Sequence, residues 1–430
     1  MTVAYSEALA AAIFLAAYGA IVFRNVSRLQ LPIWLILVSG AAAMVATGTI
    51  SVPGAYAAVN LPVITFLFSM FVIVTALDIS GALDSFAGYI LRRAKGPVGA
   101  FTLSFTGFAF ASAFLMNDTI ALMGTPIVIT IARKLHVPAK PMLLGLAFAV
   151  TIGSVTTPMG NPQNLLIALA SGVSAPVFTF ARFLLLPTLA NLAITLLLLR
   201  FIFRKELRRE EPPSANMVGS VPRDKRLAHI STWVAVLTTL LILFVNVLQS
   251  AGVSQPFGIS EVSFFGASLL LLASGRAREI IQSMDWGILL LFAGLFVMMQ
   301  SLSDNGIISV IASYLPSLSL SAPAPAIASI IASGVLLSQV VSNVPMVALY
   351  LPILTSLGYT PADGYAWAAL AGGSTIAGNL TILGAASNLI IIEEAERHGE
   401  KLSFGEFLRV GLPVTALNVL VLYLFLLFGL

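Results

Sequence analysis

The chain has 430 residues, of which 58% are hydrophobic and 9% charged, with mean hydropathy +0.99 and formal charge +4. Soluble domains carry about 25% charged residues, so this composition excludes a large soluble enzyme, and many apolar runs reach the roughly 20 residues that cross a bilayer as helix. The runs do not alternate with the two-residue period of a membrane barrel, and a chain without cysteine has no disulfide, thiolate ligand or thiol nucleophile.

The first apolar run, near 7–23, has no positively charged start. It ends at Arg24 and Arg28 rather than at a small-residue cleavage site, so it reads as a span and not a signal peptide. Runs near 31–48 and 60–78 follow. The next pair, 98–115 and 120–132, is different, because Arg92, Arg93 and Lys95 precede it and Arg133, Lys134 and Lys140 follow it. Asn117-Asp118 lies between its arms. Basic clusters mark the cytoplasmic side. The pattern therefore predicts a re-entrant hairpin over 98–133 that enters from the cytoplasm and turns near the midplane. Non-helical backbone at that depth is tolerated only against protein or a water-filled cavity.

A broken helix is expected over 142–170, because Thr156-Thr157-Pro158-Met159-Gly160-Asn161-Pro162 cannot continue a regular helix. Proline removes a donor and clashes with the preceding turn, and Gly160 is expected to supply an unusual dihedral. Unwinding would offer carbonyls to a cation and the amides of a restarted helix to an anion. Loops near 49–60, 171–181, 250–258 and 301–325 lack Lys and Arg, with Arg182 the exception at their edge, and are expected outside.

A basic stretch at 204–229 with Pro212 and Pro213 separates two comparable halves, 1–203 and 230–430, and its charge places it in the cytoplasm. Charge concentrated in this way orients a membrane protein and does not indicate nucleic-acid binding. Spans near 231–249, 258–274 and 286–302 correspond to the first three. Segments 324–341 and 346–357 flank Ser342-Asn343 without positive charge, which predicts a second hairpin, 324–357, entering from outside. A second broken helix is expected over 364–396, where Gly372 to Asn388 is rich in glycine and small polar residues. Each half carries T-x-x-G-x-x-x-N, at Thr157 to Asn164 and at Thr381 to Asn388. The expected fold is all-α and polytopic, two inverted-topology repeats with about ten spanning helices, two re-entrant hairpins and two broken helices.

Paired interrupted segments are the best sequence pointer to a transporter's binding site. The expected substrate-binding residues are Asn117, Thr119, Asn161, Asn164, Ser342, Asn343 and Asn388. The expected ion-binding or coupling residues are Asp118, Thr157, Gly160, Asn379, Thr381 and Gly384. Asp118 is the one acid expected deep in the membrane, as Na⁺ ligand, proton carrier or helix cap. No Lys or Arg falls at this centre, so an anion would rest on hydroxyls, amides, helix N-termini and a co-bound cation. His136, His229 and His398 lie in charged or loop-like stretches and make no metal site, and no catalytic pair or nucleotide loop is evident.

Asn117-Asp118-Thr119-Ile120-Ala121-Leu122, Thr157 to Asn164 and Ser338 to Pro345 resemble the ion transporter superfamily, which includes arsenite permeases, divalent-anion/Na⁺ symporters and a class of Na⁺/H⁺ antiporters. The resemblance covers nearly the whole chain and is closest to the arsenite permease-like bacterial anion transporters. It implies ion-coupled alternating access, a homodimer in the cell membrane and, for an arsenite exporter, a separate ATPase subunit. It implies no cofactor beyond Na⁺ or H⁺ as coupling ion. In the divalent-anion symporters the tips read Ser-Asn-Thr; here Met116 and Asp118 replace the hydroxyls of one tip and Val344 one of the other. An acid at the first tip would repel a di- or tricarboxylate, so arsenite or antimonite is the leading expectation. A Na⁺-coupled carboxylate or inorganic anion symporter, a Na⁺/H⁺ antiporter using Asp118, and a non-transporting membrane receptor or scaffold are the alternatives.

Overall fold

The computed structural model describes residues 3–429 apart from 24–30, 83, 209–223, 254–255, 314–317 and 319. Arg24, Arg28 and most of the 204–229 stretch therefore lie outside the described residues. The first half contains α1 (Val3–Phe23), α2 (Ile33–Ala46), α3 (Val52–Ala58), α4 (Leu61–Ser80), α5 (Asp84–Arg93), α6 (Gly96–Phe114), α7 (Asn117–Lys134), α8 (Ala139–Gly153), α9 (Pro162–Ala170) and α10 (Pro176–Ile202). The second contains α11 (Lys225–Ser250), α12 (Ile259–Ser274), α13 (Ala277–Ser283), α14 (Trp286–Asp304), α15 (Ile307–Ser313), α16 (Pro323–Val341), α17 (Asn343–Ser356), α18 (Gly364–Ile376), α19 (Ala386–Arg397) and α20 (Phe404–Phe428).

Among the described residues, eight helices are long and apolar enough to cross a membrane. They are α4, α6, α8 with its terminal turn, α10, α11, α14, α16 and α20. The sequence expectation of about ten full spans counted α2 and α12, which have 14 and 16 residues. At 1.5 Å per residue these reach about 21 and 24 Å, short of a hydrocarbon core of about 30 Å. The eight instead include α6 and α16, the first arms of the two expected hairpins.

The helices sort into two packed groups. Helices α1, α2, α4, α11, α12 and α14 pack together as a framework. Helices α6 to α10 and α16 to α20 form a core group, in which α6 and α7 pack on α8 and α16 packs on α18. The α6–α7 pair spans Gly96 to Lys134, slightly past its expected limits, with Pro126 inside the second arm, and the α16–α17 pair spans Pro323 to Ser356, shifted by one residue, with Pro352 inside its second arm.

The charge pattern has a structural counterpart. Arg133 donates to the His398 carbonyl and pairs with Glu400 at 3.4 Å, while Lys140 pairs with Glu406. Arg276 pairs with Asp224 at 3.3 Å, and the Asp224 N–H donates to the Ser80 carbonyl. These contacts tie described basic residues of several segments to acidic partners. Segments without Lys or Arg are joined by neutral contacts instead: Ser301 and Asn305 bond Thr49, the Val177 N–H donates to Asn246 Oδ1, and Gly172 lies against Pro361. Leu320, before α16, abuts Gly358, after α17.

Around the bundle, Trp233, Phe265 and Leu272 are 70%, 63% and 85% exposed, a belt that only an apolar surrounding tolerates. Lipid gives helices no hydrophobic drive to associate, so close approach through small residues supplies the attraction. A Cβ on Gly294 of α14 would lie 2.8 Å from the Leu37 and Val38 backbone of α2, and one on Gly334 would lie 3.0 Å from the Gly373 backbone. By contrast, a Cβ on Gly19 would meet nothing within 4 Å. Gly294→Ala is expected to lower stability by about 1–3 kcal/mol through overpacking, and Gly19→Ala to leave it unchanged or raised. Thermal unfolding of the purified proteins in detergent checks the pair.

Candidate functional site

The two helix breaks meet at the centre of the core group. Helix α8 ends at Gly153, passes through a 3-10 turn over Ser154–Thr156, and resumes as α9 only at Pro162. Helix α18 ends at Ile376 and passes through two such turns, Ala377–Asn379 and Ile382–Gly384, before α19 starts at Ala386. Regular i to i−4 bonding is lost in both stretches. In an apolar interior each freed carbonyl must find another donor.

Asparagine supplies that donor in both breaks. Asn164 Nδ2 donates to the carbonyls of Ser154, Val155 and Thr157 at 3.1, 3.2 and 3.3 Å. Asn161 Oδ1 caps the restarted helix by accepting the Asn164 N–H at 2.8 Å, and its Nδ2 donates to the Ser154 carbonyl. In the other break, Asn388 Nδ2 donates to the carbonyls of Gly378 and Thr381 at 2.6 and 3.3 Å. The breaks also grip each other. Thr375 Oγ1 donates to Asn164 Oδ1 at 3.2 Å and accepts from Asn161 and Gln163. From the other side, Thr151 lies against Gly378.

Each hairpin turns against the break of its own half. The Asn117 N–H donates to the Gly160 carbonyl at 2.9 Å, and Thr157 Oγ1 donates to the Ala113 carbonyl at the end of α6. Gln339 near the end of α16 donates to the Ala377 carbonyl at 2.9 Å and accepts from Thr381 Oγ1 at 2.7 Å. Asn117 Oδ1 accepts the Asp118 N–H, leaving Asp118 in the first turn of α7 with Met116 at the cap position. The Asp118 carboxyl faces the Ser387 N–H at the start of α19 and lies within electrostatic reach of Asp285. Thr119, in the same turn, is half-buried. Ser342 joins α16 to α17 with φ 73 and ψ 164.

The glycines are needed for a reason that the sequence reading did not give. Neither Gly160 nor Gly384 has a left-handed φ. A Cβ on Gly160 would instead lie 2.7 Å from Ser154 Cα, and one on Gly384 would lie 2.6 Å from the Ala377 carbonyl oxygen. Space, not dihedral freedom, excludes a side chain at both. Sequence reasoning also missed Thr375, Gln163 and Gln339 as members of this network. The signal was present, since each is a polar side chain within or beside an interrupted apolar segment.

The two breaks differ in what they leave free. In the first, the amides of Asn161 and Asn164 and the carbonyls around them are engaged by protein partners. Around the second, Asn379 Oδ1 and Nδ2, Ser387 Oγ, Asn388 Oδ1 and, on the second tip, Asn343 Oδ1 are buried with no protein partner. Buried polar groups are satisfied in about nine cases of ten. The tips and breaks contain no Lys or Arg. The site therefore offers neutral oxygens and amides and the carboxyl of Asp118.

A polytopic all-α bundle with interrupted helices at its centre is the architecture of a membrane transporter. The comparisons place the chain within that class. Residues 18–372 match the CitMHS family, described as citrate transporter, and the chain belongs to this family. It is a member of the broader superfamily of secondary-active ion transporters and not an enzyme. An uncharacterized transporter of Mycobacterium tuberculosis is 30% identical over 426 residues, which is 95% of each chain. A silicon efflux transporter of Oryza sativa subsp. japonica is 28% identical over 433 residues, covering 87% of this chain and 88% of its own. The crystal structure of the YdaH transporter of Alcanivorax borkumensis, described as having an unusual topology, superposes with TM-score 0.55 and 14% identity, covering 91% of this chain and 95% of that one.

Asn164→Leu is expected to destabilise the protein by about 1–3 kcal/mol, because it strands the Val155 carbonyl, while the Ser154 and Thr157 carbonyls keep the Asn161 amide and the Gly160 N–H as donors. Gly160→Leu and Gly384→Leu should both abolish solute flux in liposomes, whereas Gly19→Leu in α1 should keep it.

Proposed function

We propose that this protein is a secondary active transporter of a small, weakly acidic oxyacid, of the arsenite or antimonite type, working by alternating access between the two hairpins. The observation that carries the substrate class is the chemistry of the centre. Its unpartnered buried atoms are amide and hydroxyl groups from Asn343, Asn379, Ser387 and Asn388. Beside them stand one carboxyl, Asp118, and no Lys or Arg. Such a surface hydrogen-bonds the hydroxyls of a neutral or singly charged oxyacid. It pays poorly for a multiply charged anion, which would meet the Asp118 charge without a compensating cation. The rice relative, a silicon efflux transporter, fits the same class of hydroxylated solute.

The architecture is read as two inverted-topology repeats with re-entrant hairpins. The matched Asn164 and Asn388 braces support that reading, in which the first hairpin opens at the end of the bundle rich in Lys and Arg and the second at the other. The basic end is then cytoplasmic by the positive-inside rule, and the 204–229 stretch lies there. Asp118 is the coupling group, exchanging H⁺ or holding Na⁺ as access changes. Asn117, Thr119, Ser342 and Asn343 bring the tips to the solute, with Asn388 and Asn379 opposite. Thr157, Thr381, Asn161 and Asn164 hold the breaks open around it. The functional unit is read as a homodimer in the cell membrane.

A second reading, Na⁺-coupled symport of a carboxylate, draws on the citrate description of the family. It requires a bound cation to offset Asp118. Purified protein in liposomes, assayed with arsenite, silicic acid, citrate and ²²Na⁺ under imposed pH and Na⁺ gradients, separates the two. Oxyacid flux without citrate flux supports the first reading, and Na⁺-dependent citrate flux alone overturns it.

Two variants test the residue roles. Asn117→Ala and Asn343→Ala should each cut flux about 5- to 30-fold with the protein still monodisperse, since each removes an amide at the solute worth about 1–2 kcal/mol. Asp118→Asn should keep the fold and remove gradient-driven accumulation while sparing downhill exchange. Wild-type accumulation with an unchanged pH profile would return Asp118 to a purely local role in the first turn of α7.

A further inference from the structure

Helix α1 belongs to the framework, packing on α2 and α14, yet it also reaches α16. Next to that contact Tyr18, buried in α1, donates its hydroxyl to the Pro345 carbonyl of α17 at 3.1 Å. Pro345 lies in the first turn of α17, two residues beyond Asn343 at the tip of the second hairpin. The bond therefore crosses from the framework to the tip that carries a proposed solute ligand. Phe14, one turn earlier, stacks on the Tyr18 ring with centroids 4.2 Å apart, which fixes the ring's direction.

A second observation marks the same tip. Ser342 is both the end of α16 and the start of α17, and it sits at φ 73, ψ 164. That combination is nearly confined to glycine, so a serine there is under backbone strain that its surroundings must hold. The first tip shows no such strain, since Met116 has φ −58. Only the second tip combines a strained joint with a hydroxyl reaching it from the framework.

We propose that Tyr18 is a positioning residue for the transport step, holding the second tip against the framework by its hydroxyl until the strained joint at Ser342 releases it. The inference rests on the alternating-access reading of the site. In a hydrocarbon surrounding the bond has no competing water, so it can set the population of the held state. Releasing it frees the tip to move with its ligand Asn343 while the α1 framework stays in place. Tyr18 touches neither solute nor ion in this scheme and acts through the tip alone.

The chain has no cysteine, so a single reporter can be placed at the tip without background. Val344→Cys is introduced beside Asn343, and its rate of maleimide labelling is measured in liposomes without solute. Tyr18→Phe removes one oxygen and keeps the ring. It is expected to raise the labelling rate about 3- to 10-fold, the range of one net hydrogen bond. Ser342→Gly relieves the joint and should shift labelling the other way, slowing it. Phe14→Leu disturbs the packing but leaves the hydroxyl, and should change labelling less than Tyr18→Phe. Thermal unfolding of Tyr18→Phe should match the parent within a few degrees. Labelling of Tyr18→Phe at the parent rate, or a Phe14→Leu effect as large, overturns the proposal. Flux measured on the same vesicles keeps the two readings apart. Shifted labelling with no flux of any solute counts against the transport reading, and unshifted labelling with flux intact counts against Tyr18 alone.

Discussion

The structure depends on how unwound backbone is satisfied away from water. A freed carbonyl in an apolar interior costs several kcal/mol, and the two breaks free many of them close together. The answer in both is a side-chain amide placed after the break and reaching back over it: Asn164 across Ser154, Val155 and Thr157, and Asn388 across Gly378 and Thr381. The brace explains the surrounding sequence. Glycine must precede it, because Gly160 and Gly384 pass too close to neighbouring backbone for any Cβ. The threonine of each motif ties the break to its own hairpin, through Ala113 in one half and Gln339 in the other. The T-x-x-G-x-x-x-N spacing is thus a description of one local fold: tie, close approach, brace.

That local fold also accounts for what the sequence could reveal. Proline and glycine in an apolar run show that a helix stops, and the breaks at 156–162 and within 377–385 were legible for that reason. The paired arms α6–α7 and α16–α17 were legible through the polar Asn117-Asp118 and Ser342-Asn343 that interrupt them. Other features were hidden. Composition does not distinguish a glycine chosen for dihedral freedom from one chosen for space, so the reason for Gly160 was misread. Thr375 sits in a run of small residues that looks like helix packing. Its role depends on the opposing break, a contact between residues more than two hundred positions apart. The short reach of α2 and α12 was also obscured, because apolar flanks lengthen a hydropathy run beyond the helix that forms within it.

The separation of charge does more than orient the chain. Arg133 with Glu400 and Lys140 with Glu406 link α7 and α8 to the segment that leads into α20. Exposed pairs of this kind contribute about 0–1 kcal/mol each, too little to hold a bundle together. Their value lies in register: they fasten α7 and α8 to the segment after α19 and the first turn of α20. Between segments without Lys or Arg the ties are neutral, as between Thr49, Ser301 and Asn305. Neutral ties carry no cost if they are drawn into the headgroup region.

The unequal saturation of the two breaks bears on how such a site can work. A break whose amides are all engaged is rigid, because moving any member strands another. The first break, locked by Asn161, Asn164 and Thr375, has this character. The second keeps polar atoms unpaired on Asn379, Ser387 and Asn388, so an arriving group can bond there without first breaking an internal bond. Binding energy then goes into the contact instead of into replacing lost partners. Among those unpaired groups, Ser387 and Asn388 lie in the first turn of α19, which the Asp118 carboxyl faces, so a group bonded there would alter the surroundings of the acid at the first tip. Two halves with the same motif thus differ in packing: one is saturated internally, the other keeps unpaired polar atoms. Thr375, at the end of α18, bonds into the first break, so the two breaks are mechanically joined in spite of this difference.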